Sequence, residues 1–169
     1  MDTAFFFLIH FAVIAYALIG GVFLAFSDFI MRSLVLTGGQ GSIEAMQTIN
    51  REVFRWVFMA LFLGMAAVSV VVAGYCAFGL SGPAGTLIML AVLVYLIGYF
   101  AVTVVFNVPM NEALAGLEVS LETTRDYWSQ TYVPRWTFWN SVRAFACVAS
   151  AALLLVGLVW LTQNQAQPV

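Results

Sequence analysis

Lysine is absent from the sequence, so the six arginines and a single histidine are its only basic side chains. Charged residues make up 8% of the chain, whereas about a quarter is usual in a soluble domain. The formal net charge of -2 gives no positive field that would attract a phosphate backbone. These scarcities exclude a nucleic-acid-binding protein and disfavour a soluble one.

Histidine and cysteine, the side chains that most often bind transition metals, are scarce as well. His10 is expected near one membrane surface, where an interfacial role is more common than a ligand role. Cys76 and Cys147 lie far apart in apolar surroundings, which predicts buried thiols. One copy of the chain therefore supplies neither a bis-histidine haem site nor a cysteine and histidine metal site, and we expect no metal and no cofactor.

Apolar residues fill most of the chain, since 63% of it is hydrophobic and the mean hydropathy is +1.00. A chain of 169 residues accommodates several helical spans of about 20 residues each, with little soluble mass left over. The N-terminus is apolar from Ala4 onward without a basic flank or a small-residue cleavage site, so we expect a retained first span. The sequence therefore predicts a single integral membrane domain over residues 1–169.

Four apolar segments and short connections predict the fold class. We expect an all-α membrane protein, a four-helix transmembrane up-down bundle with an amphipathic interfacial helix between spans three and four. The expected spans cover about residues 4–26, 53–78, 86–106 and 137–161. The interfacial helix is expected over about residues 109–128.

Glycine and proline predict where these helices are interrupted. Three glycines within residues 37–42 indicate a turn, with Ser42 as the N-cap of a helix that runs from Ile43 through Phe78. Pro109 restricts the residue before it, which predicts that the third helix stops or kinks at Asn107.

Two spacings in the first span predict contacts. Ala17, Gly21 and Ala25 recur every fourth residue, a small-residue stripe that lets a neighbouring helix approach closely. Asp28 and Arg32 are spaced to form an ion pair at the membrane interface.

The arginines predict the orientation. All of them fall at the end of the bundle that holds the first-to-second and third-to-fourth connections. They are Arg32, Arg51, Arg55, Arg125, Arg135 and Arg143. The positive-inside rule then predicts that both termini face outward and that this end faces the cytoplasm, and we expect the bacterial inner membrane.

Polar side chains at membrane depth concentrate between Asn107 and Arg143. Buried amides and a buried arginine are costly unless they have partners, so this group marks either a site or a structural lock. The candidate catalytic residues are Asn107, Asn111, Asn140 and Arg143. The candidate substrate-binding residues are Ser27, Met31, Gln47, Asn50, Trp136 and Trp139. We expect the amides and Arg143 to converge, and mutual hydrogen bonds that only lock helix register remain the competing interpretation.

These segments resemble a known family. The run Asn107-Val108-Pro109-Met110-Asn111, then Trp128, Tyr132 and Trp136-Thr137-x-Trp139-Asn140-x-x-Arg143, is similar to the anthrone oxygenase-like family of small four-helix membrane proteins. Ser27 near the end of the first span and Met46-Gln47-x-x-Asn50 before the second extend the resemblance over nearly the whole chain.

The resemblance implies an oxygenase that converts an anthrone to an anthraquinone with molecular oxygen, without a bound metal or flavin. Trp136 and Trp139 would provide a stacking surface, and Arg143 with the amides of the asparagines would stabilise an oxyanion. No histidine lies near this group, so Glu112 or Asp28 would have to serve as the base.

Other functions remain open beside the oxygenase. The chain could be a non-enzymatic membrane subunit or a lipid-binding or hydrophobe-binding module whose amide and arginine cluster is a helix lock. A transporter is disfavoured because no acidic residue lies in mid-membrane to couple ions. The expected partners are the lipid bilayer and a hydrophobic aromatic small molecule, and a homo-oligomer is left open.

Overall fold

The structure is a computed structural model that describes residues 3–165. Within this range the chain is helical without strands, which confirms the all-α membrane class. We name the helices α1 (Thr3–Thr37), α2 (Gly39–Glu52), α3 (Trp56–Gly79), α4 (Gly82–Ala115) and α5, which begins at Glu122 and ends at Gln165.

Four of these helices, α1, α3, α4 and α5, are long and apolar enough to cross a membrane. Their outward faces carry large apolar side chains, such as Phe7, Leu18, Phe78 and Phe145, all more than half exposed. In an integral membrane protein such faces contact lipid, and each helix satisfies its backbone hydrogen bonds internally. The predicted four-span bundle is confirmed.

Helix α5 is central to the bundle, and α3 is peripheral. α5 packs against both α1 and α4, while α3 packs mainly against α4 and only sparsely against α1. In the most apolar part of each helix, 50% of the residues of α5 are buried but only 17% of those of α3. The seam between α1 and α3 is therefore the most open side of the bundle.

Glycines allow close packing of α5 against its two neighbours. A Cβ at Gly98 of α4 would lie 2.6 Å from the Cβ of Ala146, and one at Gly20 of α1 would lie 3.1 Å from the Cβ of Cys147. The predicted stripe of Ala17, Gly21 and Ala25 is wrong as a helix contact, because a Cβ at Gly21 would meet nothing within 4 Å. A helix advances about 100° per residue, so the stripe beside Gly20 faces outward.

The connection from α1 to α3 differs from the prediction. Gly38 alone separates α1 from α2, and its φ of 67° is one that glycine adopts readily. Ser42 is inside α2 and donates a hydrogen bond to the carbonyl oxygen of Gly39, so it is not an N-cap. The helix predicted from Ile43 through Phe78 is interrupted at residues 53–55, where Arg55 is extended. Helix α2 can therefore turn and pack against the end of α4 and the start of α5.

The helix does not stop at Asn107, as one form of the prediction had it, because α4 passes through Pro109 and continues to Ala115. The predicted interfacial helix over residues 109–128 is also wrong. That segment contains the end of α4, the connection 116–121 and the start of α5 at Glu122. Thus α4 and α5 extend beyond the lengths predicted from hydropathy and meet at the predicted cytoplasmic end.

π-Helical turns explain how the helices pass their prolines. Within the described residues these turns are Phe26–Ile30, Leu96–Ala101, Thr103–Asn107 and Trp128–Tyr132. One ends two residues before Pro109 and another two residues before Pro134. A π turn accommodates a local change in the helical ladder without ending the helix, and such turns are frequent at functional sites.

The π turn in α1 also changes the predicted contact of Asp28. A wider turn alters the angular spacing of residues 26–30, and no ion pair joins Asp28 to Arg32. Within the described part of the chain, the ion pair joins Glu52 and Arg55 at 3.4 Å.

Candidate functional site

A cavity of about 330 Å³ is lined by residues of all five helices and of the interruption that joins α2 to α3. This volume is at the lower end of the range of small-molecule sites. Its polar lining residues are Asn50, Glu52, Thr103, Asn111, Trp136 and Arg143. Most of the remaining wall is aromatic or aliphatic, including Phe23, Phe26, Phe58 and Phe62. The cavity therefore suits an apolar molecule with one polar group.

Arg143 is the buried cation of this cavity, with 4% of its surface exposed. Its guanidinium donates hydrogen bonds to Asn140 Oδ1 at 2.8 Å and to Thr103 Oγ1 at 3.4 Å. Its Cζ lies 4.2 Å from the centre of the Phe23 ring and 5.4 Å from that of Trp136, so both rings give cation–π contacts. The buried Nε has no hydrogen-bond partner, and within residues 3–165 no carboxylate pairs with Arg143.

Asn140 fixes Arg143 relative to α1. Its Nδ2 donates to the Phe23 carbonyl oxygen and to Ser27 Oγ, both at 2.7 Å, while its Oδ1 accepts from Arg143. Ser27 lies in the π turn of α1, and neither Ser27 nor Asn140 lines the cavity. These two predicted site residues therefore position Arg143 from behind the wall.

A second network fixes Trp136, which together with Phe23 forms what we call the aromatic wall of the cavity. Asn111 Oδ1 accepts hydrogen bonds from Tyr132 Oη at 2.9 Å and from Trp136 Nε1 at 2.7 Å. Asn50 of α2 donates to Tyr132 Oη at 3.1 Å. Trp136 also lies beside Arg143, so it joins this network to the one around Asn140.

Two other predicted amides lie outside the cavity. Asn107 is fully buried, donates weakly to the Trp136 carbonyl oxygen at 3.4 Å and has an unpaired Oδ1. Gln47 donates to the carbonyl oxygens of Leu114 and Leu117 at 2.9 and 3.1 Å. Since these carbonyls lie where α4 ends, Gln47 satisfies groups that a helix terminus leaves free.

Met31 and Trp139 do not join the cavity either. Met31 packs in a buried cluster with Ile43 and Trp128, and the buried members of that cluster that line the cavity are Met46 and Trp136. Trp139 stacks on Phe106 with ring centres 3.7 Å apart and lines a different groove. Of the ten predicted site residues, the cavity wall holds Asn50, Asn111, Trp136 and Arg143.

Several residues that complete the site are not among the ten predicted site residues, although Tyr132 belongs to the segment that resembles the family. Phe23, Thr103 and Tyr132 contact the predicted polar residues directly. Thr103 and Tyr132 lie in π turns that precede prolines, so a proline inside an apolar helical run was the available signal. Phe23 had no such signal among the many apolar residues of α1.

The carboxylate at the cavity is also a different one from those predicted. Glu112 and Asp28 are exposed and do not line the cavity, whereas Glu52 does. Glu52 is more than half exposed and is paired with Arg55 at the rim. A base that acts in this cavity would therefore come from the C-terminal end of α2.

Metal-binding groups are not clustered in the described part of the chain. Residues 3–165 contain no group of three or more histidine, cysteine, aspartate or glutamate side chains that could hold a metal ion.

Comparison with known proteins identifies one family. The family model described as "Anthrone oxygenase" matches residues 51–153. The matched segment includes Glu52, Asn111, Trp136 and Arg143, and it leaves out α1 and most of α2. No curated protein and no solved structure matches the chain.

Proposed function

The chain belongs to the anthrone oxygenase family. We propose that the protein oxidises a planar, easily enolised phenolic ketone of the anthrone type with molecular oxygen, and that the substrate binds in the cavity. The observation that carries the proposal is Arg143, a buried cation without a carboxylate partner in an aromatic cavity. An enolate oxygen would supply the missing negative charge there.

The reaction needs little from the protein beyond binding and charge stabilisation. Loss of a proton from the ring carbon gives an enolate, which is electron-rich enough to reduce oxygen. The carbon then gains one oxygen atom as a carbonyl, and the second leaves as water, so an anthrone plus dioxygen gives an anthraquinone plus water. Donors fixed before the reaction stabilise developing charge without reorganisation, and Asn140 and Thr103 fix the guanidinium in this way.

In this proposal the aromatic wall orients the substrate. Trp136 is fixed by Asn111, and Phe23 packs under the guanidinium, so a flat ring system would lie against these rings with its oxygen near Arg143. Glu52 is the proposed proton acceptor, since it is the acidic side chain among the cavity-lining residues. Trp139, which faces another groove, is not assigned a stacking role.

The arginine distribution supports an orientation with the cavity near the cytoplasmic side and both termini outward. A substrate of this class partitions into the bilayer, and the bacterial inner membrane is the proposed location.

Oxygen uptake by purified protein in detergent tests the proposal. We expect wild-type protein to consume oxygen with an anthrone faster than the spontaneous autoxidation rate, without added metal. Arg143→Lys keeps the charge but loses the planar guanidinium, so we expect about a tenfold or larger fall in rate. Arg135→Lys, in the groove beside Trp139, is the matched control and should retain the wild-type rate.

Two results would contradict this function. If wild-type uptake does not exceed autoxidation, the oxygenase proposal fails. If Arg143→Lys loses its thermal unfolding transition together with its activity, the cluster is better explained as a helix lock.

A further inference from the structure

We propose that the cavity is a binding site for amphiphilic anions of the bilayer, with an oxyanion head at Arg143 and an apolar body along the aromatic wall. The proposal concerns binding and needs no turnover, so it can fail or hold independently of the oxygenase. Its ligand chemistry, a single oxyanion on an apolar body, is shared by fatty-acid carboxylates and by aromatic acids.

The charge balance of the cavity is the first support. Arginine stays charged in proteins and offers five N–H donors, and two hydrogen bonds to neutral side chains do not neutralise it. The acidic group at the wall, Glu52, is exposed and already paired with Arg55. The buried end of the cavity therefore keeps one excess positive charge, and a buried unpaired charge is costly.

The free hydrogen-bonding atom gives the second support. Nε of Arg143 is buried and has no partner among the described residues. A carboxylate can accept two parallel hydrogen bonds from a guanidinium edge, which a neutral alcohol cannot do. The site is therefore built for an anion more than for a neutral molecule of the same shape.

The position of the cavity mouth gives the third support. Val22 on α1 and Phe54 before α3 both line the cavity, and they are 46% and 65% exposed. Val22 belongs to α1 and Phe54 directly precedes α3, so the mouth adjoins the sparse seam between these two helices. On an integral membrane protein this seam opens toward lipid, so a ligand dissolved in the bilayer reaches Arg143 without crossing the bundle.

Energy transfer from tryptophan to anthracenecarboxylate measures this binding in lipid nanodiscs. We expect saturable transfer with wild-type protein, and affinity about tenfold or more weaker for the neutral analogue anthracenemethanol, because only the anion forms charge-assisted hydrogen bonds. Arg143→Gln should remove the preference for the anion, while Arg135→Gln should keep it.

Competition identifies the source of the ligand. Displacement by palmitate but not by hexadecanol would support the proposal with fatty acids as occupants, and saturable binding without displacement would support it for aromatic acids. Equal affinity for anthracenecarboxylate and anthracenemethanol in the wild type would overturn it, and this comparison remains valid if Arg143→Gln fails to fold. An anion preference that survives Arg143→Gln in folded protein would overturn it as well.

Discussion

Replacing Asn111 with alanine removes the acceptor that two buried donors share. Tyr132 is fully buried and Trp136 is 4% exposed, and both donate to Asn111 Oδ1. Tyr132 and Trp136 are on α5 and Asn111 is on α4, so the two bonds cross between helices. The substitution therefore tests whether this amide fixes the aromatic wall of the cavity.

The expected magnitude follows from the two bonds. A buried donor left without an acceptor costs about 1–3 kcal/mol, but interhelical hydrogen bonds in membrane proteins average about 0.6 and reach about 1.7 kcal/mol. Two donors at the lower scale give a loss of about 1–3 kcal/mol in the free energy of unfolding for Asn111→Ala. Tyr132→Phe removes one donor, so the double variant should lose less than the sum of the single variants.

Equilibrium unfolding by sodium dodecyl sulfate in mixed micelles, followed by circular dichroism, measures this double-mutant cycle. We expect a coupling free energy of about 0.6–1.7 kcal/mol between Asn111 and Tyr132. Tyr75→Phe is the control, since the Tyr75 hydroxyl makes no hydrogen bond within residues 3–165. A coupling below about 0.3 kcal/mol would refute the assignment, because independent sites add within that error.

Two further substitutions test how the helices are fixed. Gly98→Ala should lower the free energy of unfolding by about 1–3 kcal/mol, since its Cβ would lie 2.6 Å from that of Ala146, whereas Gly21→Ala should be neutral in the same micelle titration. Equal effects would contradict the assigned helix faces. Gln47→Leu should free carbonyls at the end of α4 and speed amide hydrogen exchange in residues 116–121, measured by mass spectrometry, and unchanged exchange there would exclude this capping role.

The sequence was sufficient to predict the four membrane helices and some of the residues that line the cavity. The lengths of the apolar runs identified four membrane helices, because a helical span needs about 20 consecutive, mostly apolar residues. The amides and Arg143 were expected to converge, and Arg143 donates to Asn140, which lies three residues before it on the same helix face. Trp139 does not line the cavity because it lies about 100° round the helix from Asn140 and stacks on Phe106.

The rest depended on information that is not local. An apolar run does not indicate which of its phenylalanines faces a cavity. The contact of Phe23 with Arg143 depends on how α1 packs against α5, which the sequence does not show. Pro109 predicted a stop or kink in α4 because proline restricts the backbone of the residue before it. In the structure a π turn precedes Pro109 and the helix continues. Glu52 reaches the cavity because the chain is interrupted at residues 53–55, and no proline or glycine marks that interruption.

The cavity is sensitive to the number of residues in a helix as well as to their identity. A π turn holds about one residue more than an α turn, so removing one residue from Leu96–Ala101 would leave the later residues of α4 on about the same face. Removing one residue from the α-helical part, Gly82–Tyr95, would instead shift every later residue of α4 by about 100° around the axis. Thr103 would then turn away from Arg143, and Asn107 away from Trp136, although no polar residue had been replaced. In such a bundle, deletion of one codon far from the guanidinium can remove these polar contacts while leaving the hydropathy profile almost unchanged.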